Sequence, residues 1–330
     1  MFPLILIIAI IFALFFSFWT GFTDAAYAIS TIVATRTLKP IYAVILSTIG
    51  NLIGMMFGSA VAFTIGTGII SQNAASGEVI VAALLGGLIF DFFSSWIYSL
   101  PISETHVLIG GLVGAGIAAK GTEVVQFQGI LNKVILPMIT TPFIAISITL
   151  FITFFIIRLF RNVHASRANK YFKRLQVVSS LFFSITDGTE DAQKMMGIMT
   201  ILLVYYGYLT KFEIPLWVML ASYVTLSLGT FLGGWKIVKT MATKITHLRP
   251  YQGFGAEIGS SVVLGSAALF GMPVSSTHVA SGAIIGVGMA HRVKSVKWGM
   301  TRKIVTAWVL SMPSAAVLGF IIFKIINFLV

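Results

Sequence analysis

The sequence predicts an all-α polytopic membrane protein of two inverted-topology repeats, each with about three crossing helices, the first of them broken, and a re-entrant helical hairpin. Three observations predict it. Hydrophobic residues make up 57% of the 330 and charged residues 10%, with a mean hydropathy of +0.98, more apolar surface than a soluble core of this size can bury. Pro101-Ile-Ser-Glu-Thr-His106 returns as Pro273-Val-Ser-Ser-Thr-His278, each copy a polar break followed by a Gly-rich apolar segment. The positive charges, finally, are grouped along the chain in a way that orients it.

Six long crossing segments are expected near 2–35, 41–70, 131–157, 176–209, 215–235 and 304–327. Two further regions, 79–119 and 255–291, are split by the Pro-containing break into arms of about 15 to 20 residues. Such arms barely span a hydrocarbon core of roughly 30 Å, so each pair reads as a hairpin that enters and returns. With both pairs as hairpins, Arg36 and Lys39 share one side with the clusters Arg158–Arg174, Lys236–Arg249 and Arg292–Lys303, seventeen of the 22 basic residues. The opposite side holds only Lys120, Lys133, Lys211 and Lys324. That asymmetry marks the basic side as cytoplasmic and puts both termini outside. Three crossings per half is odd, so the second half is upside down relative to the first. The domains follow as a first repeat over 1–160, a basic cytoplasmic linker over 161–175 and a second repeat over 176–330.

The opening apolar run lacks a basic n-region and continues into a polar motif, so it is read as a crossing segment and not a signal peptide. From Phe2 to Thr35 it is 34 residues, about 50 Å as helix, which calls for a break or a marked tilt near Gly21 and Asp24. Asp24, this deep in an apolar run, is a functional candidate. Asn51, between Gly50 and Gly54, reads as helix packing. Asp91, ten residues before Pro101, faces either the substrate path or the interior. The tips offer hydroxyls and exposed half-helix starts, whose unpaired N–H groups and dipole attract anions. Facing half-helix termini at the midplane are how repeat-built transporters make a site. The basic linker reads as a phospholipid-headgroup contact. Thr186-Asp-Gly-Thr-Glu-Asp-Ala-Gln-Lys194 then sets three acids and a lysine inside an apolar run, the costliest stretch of the chain to place in lipid. Asp24 precedes Thr105 by 81 residues and Asp191 precedes Thr277 by 86, so the halves match in spacing.

These residues carry a family resemblance. Gly21-Phe-Thr-Asp-Ala-Ala-Tyr-Ala-Ile-Ser-Thr-Ile-Val-Ala-Thr-Arg36 resembles the first signature of the inorganic phosphate transporter (PiT) family, and Gly188-Thr-Glu-Asp-Ala-Gln-Lys-Met-Met-Gly197 its second. Both Pro-[Ile/Val]-Ser-x-Thr-His tips and Gly253-Phe-Gly-Ala-Glu257 are similar to the family's as well, and the likeness runs from about residue 13 to 320. It implies secondary active uptake of inorganic phosphate, coupled to Na+ or H+, with no cofactor. Carried over by position, Ser103, Thr105, Ser275, Ser276 and Thr277, with Gln193, would hold phosphate. Asp24 and Asp191 would hold the coupling cation, the metal being Na+ if sodium is coupled. Glu257 matches a family glutamate needed for transport and is given no ligand role. His106 and His278 match the motif, and each either orients its tip or touches substrate. A homodimer is a family habit, and a plasma-membrane location follows from the absence of an export signal and of soluble domains.

Four departures stand out. Thr23 replaces the family's Asn or His, Asp187 a frequent His, Glu190 an Asn and Glu104 a Ser or Thr, so three of the four add a carboxylate near an anion site. A bare carboxylate beside phosphate in a low dielectric costs several kcal/mol. Glu104 or Glu190, with Thr23 near Asp24, therefore either takes a proton during coupling or replaces a neutral ligand around a cation. The chain carries neither an H-E-x-x-H helix nor a phosphate-binding nucleotide loop, so it is read as no enzyme. Its net charge of +12 is explained by orientation in the membrane, not by nucleic acid. Paired buried acids in inverted repeats suit alternating access better than a channel. Sulfate, a metal–phosphate complex or a divalent cation are the alternative cargoes.

Overall fold

A lipid-embedded backbone must satisfy its own N–H and C=O groups, and the chain does so with helices. The structure, a computed structural model, describes residues 3–98, 100–233, 238 and 248–329. Lys236, Lys239 and Lys244 of the basic count, and the end of the 215–235 segment, lie outside the described residues. The helices are α1 (Leu4–Ala34), α2 (Pro40–Gly54), α3 (Ala60–Thr67), α4 (Gly77–Asp91, widened by a π-helical stretch Phe92–Ile97) and α5 (Glu104–Lys120). They continue with α6 (Phe127–Leu159), α7 (Ala165–Tyr205), α8 (Leu216–Leu232), α9 (Pro250–Leu269), α10 (Ser276–His291) and α11 (Trp298–Leu329). Prolines open α2 and α9, where a missing N–H does no harm, and Ser76, Ser103 and Ser275 cap α4, α5 and α10. Among the described residues no strand forms beyond one isolated bridge, Ile70 with Val125. Leu4–Ala34, Gly77–Ile97, Phe127–Leu159 and Trp298–Leu329 are long and apolar enough to cross a membrane, while α2 and α8 are shorter apolar helices.

One expectation is corrected and two boundaries are refined. First, α1 is continuous through Gly21 and Asp24, so the first helix is not broken. The Thr23 hydroxyl returns to the Trp19 and Thr20 carbonyls of its own helix, and Gly21 serves close packing: a Cβ there would lie 2.0 Å from the Leu226 carbonyl oxygen. The break falls in the second segment, where α2 stops at Gly54 and the chain turns through Gly58, at φ +93°, before α3 restarts. Second, α7 already begins at Ala165, so most of the basic stretch forms its first turns and the non-helical link is only 160–164. Third, α4 with its π-helical extension reaches 21 residues, longer than the bare arm the sequence suggested.

Helices from the two ends of the chain pack on one another. The last helix, α11, packs on α4 and α5, while α6 packs on α9 and α10; α8 packs on α1, and α2 on α7. Small residues four apart make close crossings on both α5 and α10. A Cβ on Gly110 or Gly114 of α5 would lie 2.3 or 1.9 Å from the Met312 or Ala316 carbonyl oxygen of α11. On α10, Gly282 and Gly286 lie against the carbonyls of Pro142 and Ile146 of α6 in the same way, 2.7 and 2.5 Å from a notional Cβ. Replacing Gly114 by Val should force α5 and α11 apart at a cost of about 1–3 kcal/mol. Gly299, at the start of α11, has nothing within 4 Å of a notional Cβ, and Gly299→Ala should leave stability level or slightly raised. Thermal unfolding of the two variants in detergent separates these outcomes; equal midpoints would deny the close crossing.

Candidate functional site

The two repeated tips meet. Ser103 and Ser275 act as N-caps, their hydroxyls accepting from the backbone N–H of His106 and His278 at 3.2 and 3.3 Å. The threonine two residues on crosses to the other tip: Thr105 donates to the Val274 carbonyl at 2.8 Å and Thr277 donates to the Ile102 carbonyl at 2.6 Å. This reciprocal pair ties the starts of α5 and α10 together. The histidines follow the same symmetry. His106 Nδ1 bonds the Trp308 carbonyl of α11 at 2.9 Å and His278 Nδ1 the Met138 carbonyl of α6 at 3.4 Å. A carbonyl only accepts, so Nδ1 carries the proton in both, and both Nε2 atoms are buried without a partner. The two rings meet edge to face at 4.7 Å. Both histidines therefore anchor their tips to the crossing helix behind.

The interior holds most of the chain's acid. Asp24, Asp91, Glu104, Asp187, Glu190, Asp191 and Glu257 are all at most 3% exposed, seven of ten acids in the sequence. Among the described residues Lys194 is the one buried Lys or Arg, and its Nζ sits 2.6 Å from Asp191 Oδ1. A buried charge must be paired or hydrogen-bonded, so the other acids find neutral donors. Asp24 Oδ2 accepts from Ser276 at 3.1 Å, Glu190 Oε1 from the Val274 N–H at 2.8 Å and Glu104 Oε1 from Thr23 at 2.8 Å. Asp91 accepts from Trp19 Nε1 and Ser95. Asp24 lies within electrostatic reach of Asp187, Asp191, Glu104 and Lys194.

The structure thus brings together Ser103, Thr105, Ser275, Ser276, Thr277, Thr23, Asp24, Glu104, Glu190, Asp191 and both histidines. Gln193 joins in part: its Oε1 accepts from the Val61 and Ala62 N–H groups at 2.8 and 3.3 Å, capping α3, while its Nε2 is buried and unpartnered. Glu257 belongs to another cluster, accepting from Thr31 at 2.6 Å, Gln176 Nε2 at 3.1 Å and Ser179, so that it joins α9 to α1 and α7. Sequence reading left Asp91 undecided and missed Tyr27, whose hydroxyl reaches the Ile102 carbonyl at 3.4 Å, and the Trp308 and Met138 carbonyls. Only Tyr27, a polar ring three residues after Asp24, left any signal in the sequence. The unsatisfied atoms state what the site lacks: Asp24 Oδ1, Asp187 Oδ1, Glu104 Oε2 and Glu190 Oε2 want donors or cations, and Gln193 Nε2 wants an acceptor. Among the described residues no three His, Asp or Glu side chains converge as a metal shell.

Comparison with known proteins follows the same line. The profile described as "Phosphate transporter family" matches residues 20–319. A protein of Rhizobium meliloti (strain 1021) named "Probable low-affinity inorganic phosphate transporter" is 44% identical over 321 residues, 96% of this chain and 95% of its own. One of Bacillus subtilis (strain 168) with the same name is 40% identical over 325 residues, 97% of each chain. A solved structure titled "The sodium-dependent phosphate transporter" superposes with a TM-score of 0.83 over 99% of this chain and 100% of that one, at 24% identity, a likeness of fold.

The Asp191–Lys194 pair gives a measurable consequence. Removing the cation alone, in Lys194→Met, leaves a buried carboxylate uncompensated and should cost about 3–5 kcal/mol. Adding Asp191→Asn should recover most of the loss, seen as a recovered thermal midpoint. A single variant that melts with the parent would mean that Lys194 is not the counter-charge.

Proposed function

The chain belongs to the phosphate transporter family, and from that premise we propose that it imports inorganic phosphate by symport with Na+ or H+, with access alternating around the two tips. The observation that carries this reading is the reciprocal Thr105–Val274 and Thr277–Ile102 pair. Each hydroxyl donates to a carbonyl oxygen that stands where a substrate oxygen would stand. When phosphate enters, both hydroxyls turn to it, the tips part, and the N–H groups at the starts of α5 and α10 face the anion. Ser103, Ser275 and Ser276 add hydroxyls and Gln193 its free Nε2. Alternation then consists of making and breaking the pair from one side or the other.

Asp24 and Asp191 are the cation ligands in this reading, with Thr23, Glu190 and Glu104 beside them. Hard oxygen ligands suit Na+. The carboxylate oxygens left without donors also favour phosphate over sulfate: a hydrogen phosphate keeps an O–H to donate to one of them, whereas sulfate is wholly an acceptor at neutral pH. The inverted arrangement of the halves, with both termini outside the cell, is supported by the exchanged helix pairings and the charge asymmetry.

Uptake of radiolabelled phosphate into proteoliposomes tests the reading. Uptake should follow an inward Na+ or H+ gradient, fall at least tenfold in Thr105→Val with Thr277→Val, and resist excess sulfate while yielding to arsenate. Sulfate that abolishes uptake would move the assignment to a general oxyanion carrier. Orientation can be read separately, because the chain has no cysteine of its own. Gln72→Cys and Ser166→Cys, both at exposed positions, should be labelled from opposite sides, the first from outside.

A further inference from the structure

The phosphate reading uses the middle of the fold and leaves the most basic region of the chain without a task. No acid stands between Glu123 and Asp187, or between Glu213 and Glu257. The first of those stretches carries Arg158, Arg161, Arg167, Lys170, Lys173 and Arg174. Lys173 is engaged, its Nζ donating to the Arg36 carbonyl at 3.0 Å.

The two acid-free stretches meet at one place. The end of α6, the start of α7 and the start of α9 enclose a cavity of about 410 Å³. Phe172 of α7, 3% exposed, makes its base, with ring contacts to Phe160, Tyr251 and Phe254 at 4.9, 6.3 and 5.7 Å. Those contacts join the three elements, so the base is a fixed apolar surface. Arg161 and Arg249 line the same cavity, one from each stretch. Both are exposed, and neither guanidinium is paired with a carboxylate among the described residues.

The lining says what kind of molecule fits. Nine of the thirteen lining residues are apolar, so a bare inorganic anion would lie against a surface that offers it no donors apart from the few polar groups. The wall formed by α6 continues into apolar side chains: Ile157 lines the cavity, and one turn earlier Phe154 is 61% exposed. The helix α6 is among those long and apolar enough to cross a membrane, so hydrocarbon covers that face. A fitting ligand therefore has a negative head and a hydrocarbon tail. Guanidinium groups grip phosphate oxygens in pairs, and basic pockets between crossing helices take phospholipid heads.

We propose that this cavity binds one anionic phospholipid of the phosphatidylglycerol type, its phosphate held by Arg161 and Arg249 with Asn169 as a further donor, and its acyl chains lying along α6. The headgroup contact expected of the basic linker thereby becomes a single built site. The lipid ties the end of α6 to the starts of α7 and α9. One turn beyond Phe172 stands Gln176, whose Nε2 donates to Glu257 of α9 at 3.1 Å, so the bound lipid braces the same two helices beside that cluster. The site shares no residue with the tips and stands whatever the cargo.

Native mass spectrometry of the purified chain with added lipid tests it. One phosphatidylglycerol per chain should be retained in preference to phosphatidylcholine of the same acyl length. Arg161→Gln with Arg249→Gln should weaken that binding roughly tenfold. Arg302→Gln with Lys303→Gln, which removes the same charge from the start of α11, should leave it unchanged. A ligand that binds only the folded state raises the thermal midpoint, so phosphatidylglycerol should raise that of the parent and not that of the first pair. Both arginines are exposed, so the lipid-free midpoints should agree. Equal retention by the two double variants would overturn the site in favour of a diffuse attraction to the basic face. Equal retention of phosphatidylcholine would reduce the contact to acyl chains, and displacement of the lipid by millimolar inorganic phosphate would make the cavity a site for the free anion; either result removes the proposal.

Discussion

Two hydroxyl-to-carbonyl hydrogen bonds, exchanged between Thr105 and Thr277, hold the centre of this protein. Each tip interrupts a helical path among buried residues, and an interrupted helix leaves N–H and C=O groups that something must satisfy. Each tip solves part of the problem with the other. The serines cap the half-helices from within, the threonines close the carbonyls across the gap, and the histidines pin each tip to the crossing helix behind it. The same hydroxyls that make the tips self-consistent are groups that can donate to an anion.

The tips and acids were legible in the sequence because polar residues in an apolar chain are conspicuous, and the twofold occurrence of Pro-x-Ser-x-Thr-His gave them partners. The helix breaks were less legible. The length of the first segment argued for a bend at Gly21, yet a glycine in a membrane helix serves close approach as readily as flexibility, and here the Leu226 carbonyl lies against it. The real interruption, between α2 and α3, depends on the side chain of Gln193, more than 130 residues away, which caps the restart. Local reading could not supply that partner. Nor could it supply the Trp308 and Met138 carbonyls, since a backbone acceptor has no signature of its own.

The two polar motifs and the two tips recur in order without sharing all their chemistry. At matching places stand Thr23 and Glu190, Glu104 and Ser276, Tyr27 and Lys194. The second half carries its own cation, bound to Asp191, while the first carries a phenol whose hydroxyl leans on the Ile102 carbonyl. The two tips, alike in their Pro-x-Ser-x-Thr-His order, are therefore set among different side chains.

The exchanged pairing of α5 with α11 bears on how the chain is made. The glycine face of α5 needs a partner that begins about 180 residues after α5 ends. At about 5–20 residues per second, synthesis leaves that face uncovered for roughly ten to forty seconds. During this interval the glycine face of α5 lacks the helix that covers it in the finished fold. The packing of α4 and α5 is completed only when α11 arrives, so a chain cut before α11 loses the cover of two early helices along with a late one.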